Sequence, residues 1–276
     1  MTEAAPPDVG LDAAGLAVCL REVTKVYDVT KVYDNGVMAL GPLDLRVRKG
    51  EFVSLLGPSG CGKSTALRIM AGLAAPTAGR VELAHHDGAT LPGQSIGFVF
   101  QEPTLMPSTS VKENVRLPLK LARVPAAESG PRVMEALSRV GLAEFADSFP
   151  RVLSGGMKMR VSLARALVTD PDILLMDEPF AALDEITRFR LNNDLLALWR
   201  NLKKTVVFVT HSVFESVYLS QRVIVMTQRP GRISAEIAIG APEPRGEEFR
   251  TSAAYAEFCR NVSAALAPSY SGQALL

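Results

Sequence analysis

The sequence has few cysteines and almost no net charge, and each of these two shortages argues against a class of protein. Its 276 residues include 3 Cys and carry a formal net charge of +1. Cys19, Cys61 and Cys259 are scattered without metal-ligand spacing, which favours a reducing compartment over a disulfide framework or a zinc site. A net charge this small gives no electrostatic reason to expect a nucleic acid partner.

The sequence also lacks a long hydrophobic run and a basic N-terminal segment. No uninterrupted apolar stretch approaches the roughly 20 residues that a membrane-spanning helix needs. Met1 to Gly15 contains no Lys or Arg, so it is not typical of a secretory signal. Its Ala, Pro and Asp content predicts a disordered tail over residues 1–17. We therefore expect a soluble, cytoplasmic chain.

A glycine-rich stretch matches the pattern G-x-x-x-x-G-K-[ST]. Glu51 to Leu56 before it predicts a short buried strand, and Thr65 to Leu73 after it has the apolar spacing of a helix. Glycines let successive N–H groups face one centre, and the helix N-terminus favours an anion there. We predict a nucleoside triphosphate site in which Lys63 reaches the β- and γ-phosphates and Ser64 ligates Mg²⁺. The predicted nucleotide-binding residues of this P-loop are Gly57, Pro58, Ser59, Gly60, Cys61, Gly62, Lys63, Ser64 and Thr65.

Buried strands alternate with helices after the P-loop, which predicts an α/β fold with a mostly parallel sheet covered on both faces. The segment from Glu102 to Val152 instead has helical patterns, including a predicted capping box at Ser110 to Glu113 and an apolar face of Val133, Met134, Leu137 and Val140. We interpret this segment as an inserted helical subdomain. A last helix, about Ser252 to Leu266, is expected to pack back on the core.

A six-residue segment, Val23 to Asp28, is repeated without change as Val29 to Asp34. Its alternating pattern predicts a strand, and a slip of six residues would keep the same face inward. One copy is therefore expected to be the strand and the other a surplus loop or extension.

Two carboxylates, Asp177 and Glu178, directly follow the predicted buried strand Ile173 to Met176. An acidic residue at the carboxyl end of such a strand can face the P-loop and hold Mg²⁺ through water. Glu178 is then placed to orient or deprotonate the attacking water.

The next motif makes the sequence resemble the ATP-binding cassette (ABC) ATPases. Leu153 to Met157 is similar to the signature motif of that family, and the resemblance extends roughly from Val18 to Ile237. Further positions match in order: Gln101 resembles the Q-loop glutamine, Ala182 to Asp184 the D-loop, His211 the switch histidine and Tyr33 the aromatic residue that stacks on adenine. The resemblance implies P-loop NTPase architecture with an antiparallel β subdomain, an ABC ATPase domain over residues 18–240 with its helical subdomain at 102–160, and a C-terminal helical extension at 241–276.

The resemblance also implies how these residues act. Two copies would close head to tail around ATP and Mg²⁺, with Ser154, Gly155 and Gly156 of one copy contacting the γ-phosphate held by the other. Gln101 would link Mg²⁺ or the attacking water to the helical subdomain, and His211 would hold or sense the γ-phosphate. The implied catalytic residues are Glu178, His211, Gln101 and Lys63, the implied metal ligands are Ser64, Gln101 and Asp177, and Asp184 joins the nucleotide-binding set.

Three stretches, Phe100 to Pro107, Asp184 to Arg188 and Gln228 to Arg232, are similar to the bacterial nitrate/sulfonate/taurine type of importer ATPase. That branch implies membrane permease subunits, an extracytoplasmic substrate-binding protein, a position on the cytoplasmic face of the inner membrane and a small solute, either an anion of those kinds or a pyrimidine. Glu102 to Pro107 would help to form the permease socket, or would be local core.

Alternatives remain open at this point. The chain can be a soluble, non-transport ABC ATPase, or a nucleotide-binding regulator that does not hydrolyse, although Glu178, His211 and Ser154 are all present. The signature departs from its relatives at Met157, where many have Gln. Tyr27 is the reserve for Tyr33 because the repeat makes the adenine-stacking residue ambiguous.

Overall fold

A computed structural model describes the backbone of residues 16–27 and residues 37–83 and 96–270 in full. In an antiparallel sheet, the long strand β1 (Leu16–Tyr27) pairs with β2 (Val37–Leu40), β3 (Leu45–Arg48) and β5 (Ala78–Leu83). β1 begins inside the predicted tail and includes most of the first repeat copy. The second copy, with Tyr33, lies outside the described residues.

The second sheet has six strands in the order β10-β9-β4-β8-β7-β6. Its strands are β4 (Phe52–Leu56), β6 (Ile96–Val99), β7 (Ile173–Asp177), β8 (Thr205–Thr210), β9 (Arg222–Met226) and β10 (Ile233–Ala238). All neighbours are parallel except β10, which runs antiparallel to β9. β4, β7 and β8 are buried along their whole length, as expected for strands covered on both faces.

The helices cover both faces of this sheet. They are α1 (Lys63–Met70), α2 (Val111–Leu121), α3 (Ala126–Arg139), α4 (Gly155–Leu167), α5 (Glu185–Leu202), α6 (Val213–Leu219), α7 (Glu247–Arg250) and α8 (Ala253–Leu266). The side chains of β4 show the two layers: Phe52 and Leu56 pack into one apolar cluster, whereas Val53 and Leu55 pack into the other. In the described part of the chain, no helix combines the length and apolar character needed to span a bilayer.

The helical insertion between β6 and β7 is present, but one predicted detail is wrong. Ser110 precedes α2, yet its side chain makes no capping hydrogen bond within the described residues. The first amides of α2 donate instead to backbone carbonyls of a neighbouring turn, Val111 N to Ser148 O at 2.8 Å and Lys112 N to Ala146 O at 2.9 Å. Tertiary contacts therefore satisfy the helix start that the capping box was expected to satisfy.

The predicted apolar face of α3 is also only partly correct. Val133, Leu137 and Val140 are buried, but Met134 is 41% exposed. Residues 133 and 134 are adjacent, so they differ by about 100° around the helix and only one of them can point directly at α2 and α4. The last helix behaves as predicted, because Val262 and Leu266 of α8 are buried in the core.

Candidate nucleotide-binding site

The P-loop joins β4 to α1 through glycines in conformations that other residues rarely adopt. Gly60 and Gly62 have φ of 74° and 107°. A Cβ at Gly62 would lie 2.6 Å from Leu40 Cδ2 and 2.7 Å from Ala39 O, so this position has no room for a side chain. The strand and helix predicted on either side of the loop are confirmed.

The ammonium of Lys63 lies inside the curl of the loop. Its side chain is 4% exposed, and Nζ donates to Gly57 O at 2.8 Å and to Pro58 O at 2.9 Å. These two carbonyls hold the ammonium within the loop. Because an ammonium has three donors on a flexible stem, it can exchange a carbonyl for a phosphate oxygen.

Ser64 and Asp177 meet at the end of β7. Ser64 Oγ donates to Asp177 Oδ1 at 2.8 Å. Burial raises the pKa of Asp177, while the bond from Ser64 acts in the opposite direction. A hydroxyl and a carboxylate are hard oxygen ligands, and Mg²⁺ typically takes one or two protein ligands plus phosphate oxygens. The pair therefore fits a nucleotide-bound Mg²⁺, and the described residues contain no group of three or more His, Cys, Asp or Glu that would form a separate metal cage.

Glu178 and His211 complete the cluster from two neighbouring strands. Glu178 directly follows β7, has φ of 44°, and its amide donates to Val209 O at 3.0 Å. His211 follows β8, and its Nδ1 lies 3.2 Å from Glu178 Oε2. Glu178 Oε1 is 3.9 Å from Lys63 Nζ. The structure thus joins Lys63, Glu178 and His211 in one contact chain.

Two further predicted regions lie at helix starts. Ser154 caps α4, where its exposed Oγ accepts a bond from Met157 N at 3.2 Å, and Asp184 caps α5 by accepting from Thr187 N at 2.9 Å. That bond lowers the pKa of Asp184. The two starts pack together, since a Cβ at Gly156 would lie 2.8 Å from Thr187 Cγ2.

Gln101 is not drawn into the cluster. It follows β6 at the edge of the sheet, is exposed, and makes no hydrogen bond with any described residue. Tyr33 lies outside the described residues, and for Tyr27 only the backbone of β1 is described. The sequence patterns do not identify one residue that contacts the loop: Arg229 donates from Nε to the P-loop carbonyl of Gly60 at 2.7 Å. Its position in Gln228 to Arg232, one of the stretches similar to importer ATPases, is the only sequence feature that could have indicated this residue.

Comparison with known proteins identifies the family of this chain. The family model described as ABC transporter matches residues 40–181. The chain is 48% identical over 243 residues to an uncharacterized ABC transporter ATP-binding protein, MJ0412, of Methanocaldococcus jannaschii, covering 86% of this chain and 89% of that one. It is 47% identical over 205 residues to the taurine import ATP-binding protein TauB of Rhizobium johnstonii, covering 74% and 77%.

A solved structure shows the same fold. The dimeric, post-hydrolysis ATP-binding cassette MJ0796 with bound ADP and Pi superposes with a TM-score of 0.70 at 36% identity, covering 82% of this chain and all of that one. The chain belongs to the ABC transporter ATP-binding family. It is an ABC ATPase with a P-loop NTPase fold, and the expected family is confirmed.

Proposed function

We propose that this chain is the ATP-hydrolysing subunit of a bacterial importer, in which closure of a homodimer around MgATP drives uptake of a small solute. The observation that carries the proposal is the meeting of Lys63, Ser64, Asp177, Glu178 and His211 at the carboxyl ends of β4, β7 and β8. Ligand sites of open α/β sheets lie at this edge.

Each residue of the cluster has a separate task in hydrolysis. The P-loop amides and Lys63 would bind the phosphates, and Ser64 and Asp177 would hold Mg²⁺, which would neutralise phosphate charge. Glu178 orients the attacking water and accepts its proton. His211 holds the Glu178 carboxylate through the 3.2 Å contact and would hold or sense the γ-phosphate.

The second half of each site comes from a second copy of the chain. Ser154 is exposed at the N-terminus of α4, and a helix N-terminus favours an anion. The Ser154 hydroxyl and the amides of Gly155 and Gly156 would bind the γ-phosphate held by the partner, beside Asp184. Hydrogen bonds to charged groups contribute about 1.5–3 kcal/mol each, so losing them on hydrolysis would suffice to open the dimer. Tyr33 would stack on adenine.

The segment after β6 is proposed to dock on a membrane permease. Arg165 of α4 donates to Pro103 O at 2.8 Å and to Thr104 O at 2.9 Å, so the signature helix holds this segment directly. Leu105 packs partly against the core, which gives some support to the local-core alternative. Gln101, at the base of the segment, would relay the presence of Mg²⁺ or the attacking water to it.

The similarity to a taurine import subunit supports a small sulfonate-like anion as the solute. The permease would place the chain on the cytoplasmic face of the inner membrane, and an extracytoplasmic substrate-binding protein would deliver the solute. No nucleic acid partner is expected.

The proposal is tested by size-exclusion chromatography of Glu178→Gln with and without MgATP. We expect MgATP to convert this variant to a dimer, because the nucleotide contacts form and hydrolysis no longer breaks them. Adding Ser154→Arg should abolish the dimer. Adding Ser252→Arg instead is the matched control, since Ser252 caps α8 in the same way, accepting from Tyr255 N at 3.1 Å.

A dimer that persists with Ser154→Arg would refute the assignment of residues 153–157 as the signature. If Glu178→Gln forms no dimer with MgATP, the experiment is repeated with the permease present. If no MgATP-dependent dimer forms with the permease either, the proposed closing mechanism is refuted.

A further inference from the structure

The segment between β9 and β10 presses on the outside of the P-loop at two successive residues. Arg229 Nε donates to Gly60 O at 2.7 Å. Gly231 lies against the next carbonyl so closely that a Cβ there would be 2.0 Å from Cys61 O. This segment, residues 227–232, is hereafter the brace.

The brace is itself fixed at both ends. Thr227 Oγ1 donates to Pro230 O at 3.1 Å and accepts from Arg232 N at 3.0 Å, which closes the segment on itself. Gly231 N donates to Ala39 O at 3.0 Å, which ties it to β2 in the other sheet. Arg229 therefore reaches the P-loop from a rigid support.

The contact fixes the orientation of one peptide unit of the P-loop. The C=O and N–H of the Gly60–Cys61 peptide are coplanar and point in opposite directions. Arg229 holds the C=O, while the Cys61 N–H donates to Pro58 O at 3.3 Å. Gly60, with φ of 74°, has a wide choice of backbone conformations in the absence of such a contact.

We propose that Arg229 is a positioning residue that holds the P-loop in its phosphate-binding conformation before the nucleotide arrives. The proposal rests on the proposed nucleotide site and adds a residue 169 positions away in sequence. Arg229 bonds to a loop carbonyl and acts through the loop. The loop conformation is needed equally for the bound nucleotide and for the transition state. Loss of the Arg229 contact should therefore weaken nucleotide binding and leave the turnover of bound ATP nearly unchanged.

The test compares Arg229→Met with wild type in the full chain. Titration with a fluorescent ADP analogue should show a Kd raised about tenfold, equal to about 1.4 kcal/mol. Steady-state ATP hydrolysis should show a similar rise in KM, with kcat within about twofold. Arg229→Lys should recover part of the affinity, because an ammonium can still donate to Gly60 O.

Arg232→Met is the matched control for charge. Arg232 belongs to the same segment and is exposed, but its side chain lies over Gly41. It should bind the ADP analogue like wild type. An equal loss of affinity in both variants would show that only the positive charge matters, and would overturn the proposal.

The alkylation rates of two cysteines distinguish local loosening of the P-loop from a general loss of stability. Cys61 and Cys259 are both buried, in the P-loop and in α8. In a Cys19→Ser background without nucleotide, Arg229→Met should accelerate alkylation of Cys61 several-fold and leave Cys259 unchanged. Equal acceleration at both cysteines would indicate global destabilisation and would count against a positioning role.

These measurements distinguish failure of the proposed nucleotide site from failure of the role proposed for Arg229. If the wild-type chain and Lys63→Ala bind the ADP analogue equally, the proposed nucleotide site is wrong. If wild type binds and Lys63→Ala does not, but Arg229→Met matches wild type in Kd and in Cys61 alkylation, only the role of Arg229 is refuted.

Discussion

Glu215 is a buried carboxylate close to His211 and has one oxygen without a hydrogen bond. It is 8% exposed, and its Oε2 accepts from Thr210 Oγ1 at 2.6 Å. Its Oε1 has no hydrogen-bond partner in the described part of the chain, and Arg188 Nε is 3.9 Å away. Burial raises the pKa of Glu215, only partly opposed by the bond from Thr210 and by the charge of Arg188.

A raised pKa makes the folded state bind more protons than the unfolded chain, so the stability of the fold should fall as pH rises through that pKa. The contribution of Glu215 is fully present below its unfolded pKa, near 4.5. We therefore expect Glu215→Gln to have a higher free energy of unfolding than wild type at pH 8, and the difference to disappear below about pH 4.5. Urea denaturation at several pH values measures this.

The control is Glu257→Gln, which removes a negative charge at an exposed position of α8. If Glu215→Gln is less stable than wild type at pH 8, or if its effect is the same at every pH, the expected titration of the buried carboxylate is refuted.

The residues of the site were largely predictable from local sequence, whereas their contacts were not. Asp177 and Glu178 were found because they follow an apolar run, and Lys63 because it lies in a spaced pattern of glycines. The bond from Arg229 to Gly60 spans 169 positions, and no local propensity specifies such a pair. The exposure of Gln101 could not be predicted either, because the family resemblance implies a role for this residue but no contact with a neighbouring residue.

Among the secondary-structure elements, helix α2 depends on one buried side-chain amide, that of Asn114. Asn114 is fully buried. Its Oδ1 accepts from Met106 N at 2.7 Å, and its Nδ2 donates to Met106 O at 3.1 Å and to Ser110 O at 3.0 Å. The amide thus joins the first turn of α2 to the segment that we propose docks on the permease.

Asn114→Leu keeps the approximate volume of the side chain and leaves Met106 N without its acceptor. Met106 O and Ser110 O each lose one donor but keep another, from Thr109 and from the backbone N–H of residue 114. A buried unsatisfied group costs about 1–3 kcal/mol, so we expect a loss in that range in the free energy of unfolding. Chemical denaturation gives the value. Lys120→Leu, an exposed change on the same helix, should have an effect within about 0.5 kcal/mol, and a similar loss in both variants would contradict the role assigned to Asn114.

The elements that sequence patterns missed are those stabilised by contacts outside their own residues. β10 alternates half-buried and exposed residues and was not predicted, because its pattern is weak and its pairing with β9 is what makes it a strand. The capping box at Ser110 was predicted from four residues, but carbonyls of residues 146 and 148 satisfy that helix start. Long apolar runs such as β7 and β8 needed no such information.

For the whole molecule, strand order assembles the site. The alternation of strands and helices predicts a parallel sheet but does not say which strand lies between which. In the structure β8 lies between β4 and β7, which brings His211, after β8, beside Glu178, after β7. The order depends on contacts over the entire chain, so the sequence patterns alone could not supply it.

The C-terminal extension is joined to this assembly by Arg245. Its guanidinium is almost fully buried and donates to the carbonyls of Val217, Tyr218 and Ser220 at 3.3, 2.9 and 2.8 Å. These carbonyls end α6, where a cation is favoured by the helix dipole. Glu243 lies 3.2 Å from Arg245 Nε and supplies a negative charge.

Arg245→Met removes the buried charge and leaves the end of α6 without its partner, so we expect the free energy of unfolding to fall by about 3–5 kcal/mol. At temperatures where the variant is folded, the ATPase kcat should stay within about threefold of wild type, because Arg245 binds α6 at the end away from His211. Thermal and urea denaturation, with ATPase assays below the transition, measure both effects. Arg260→Met, at an exposed position of α8, is the control for loss of an arginine and should leave stability within about 0.5 kcal/mol. A stable Arg245→Met protein would mean that the extension is held to the core by its apolar contacts alone, through Tyr255, Val262 and Leu266.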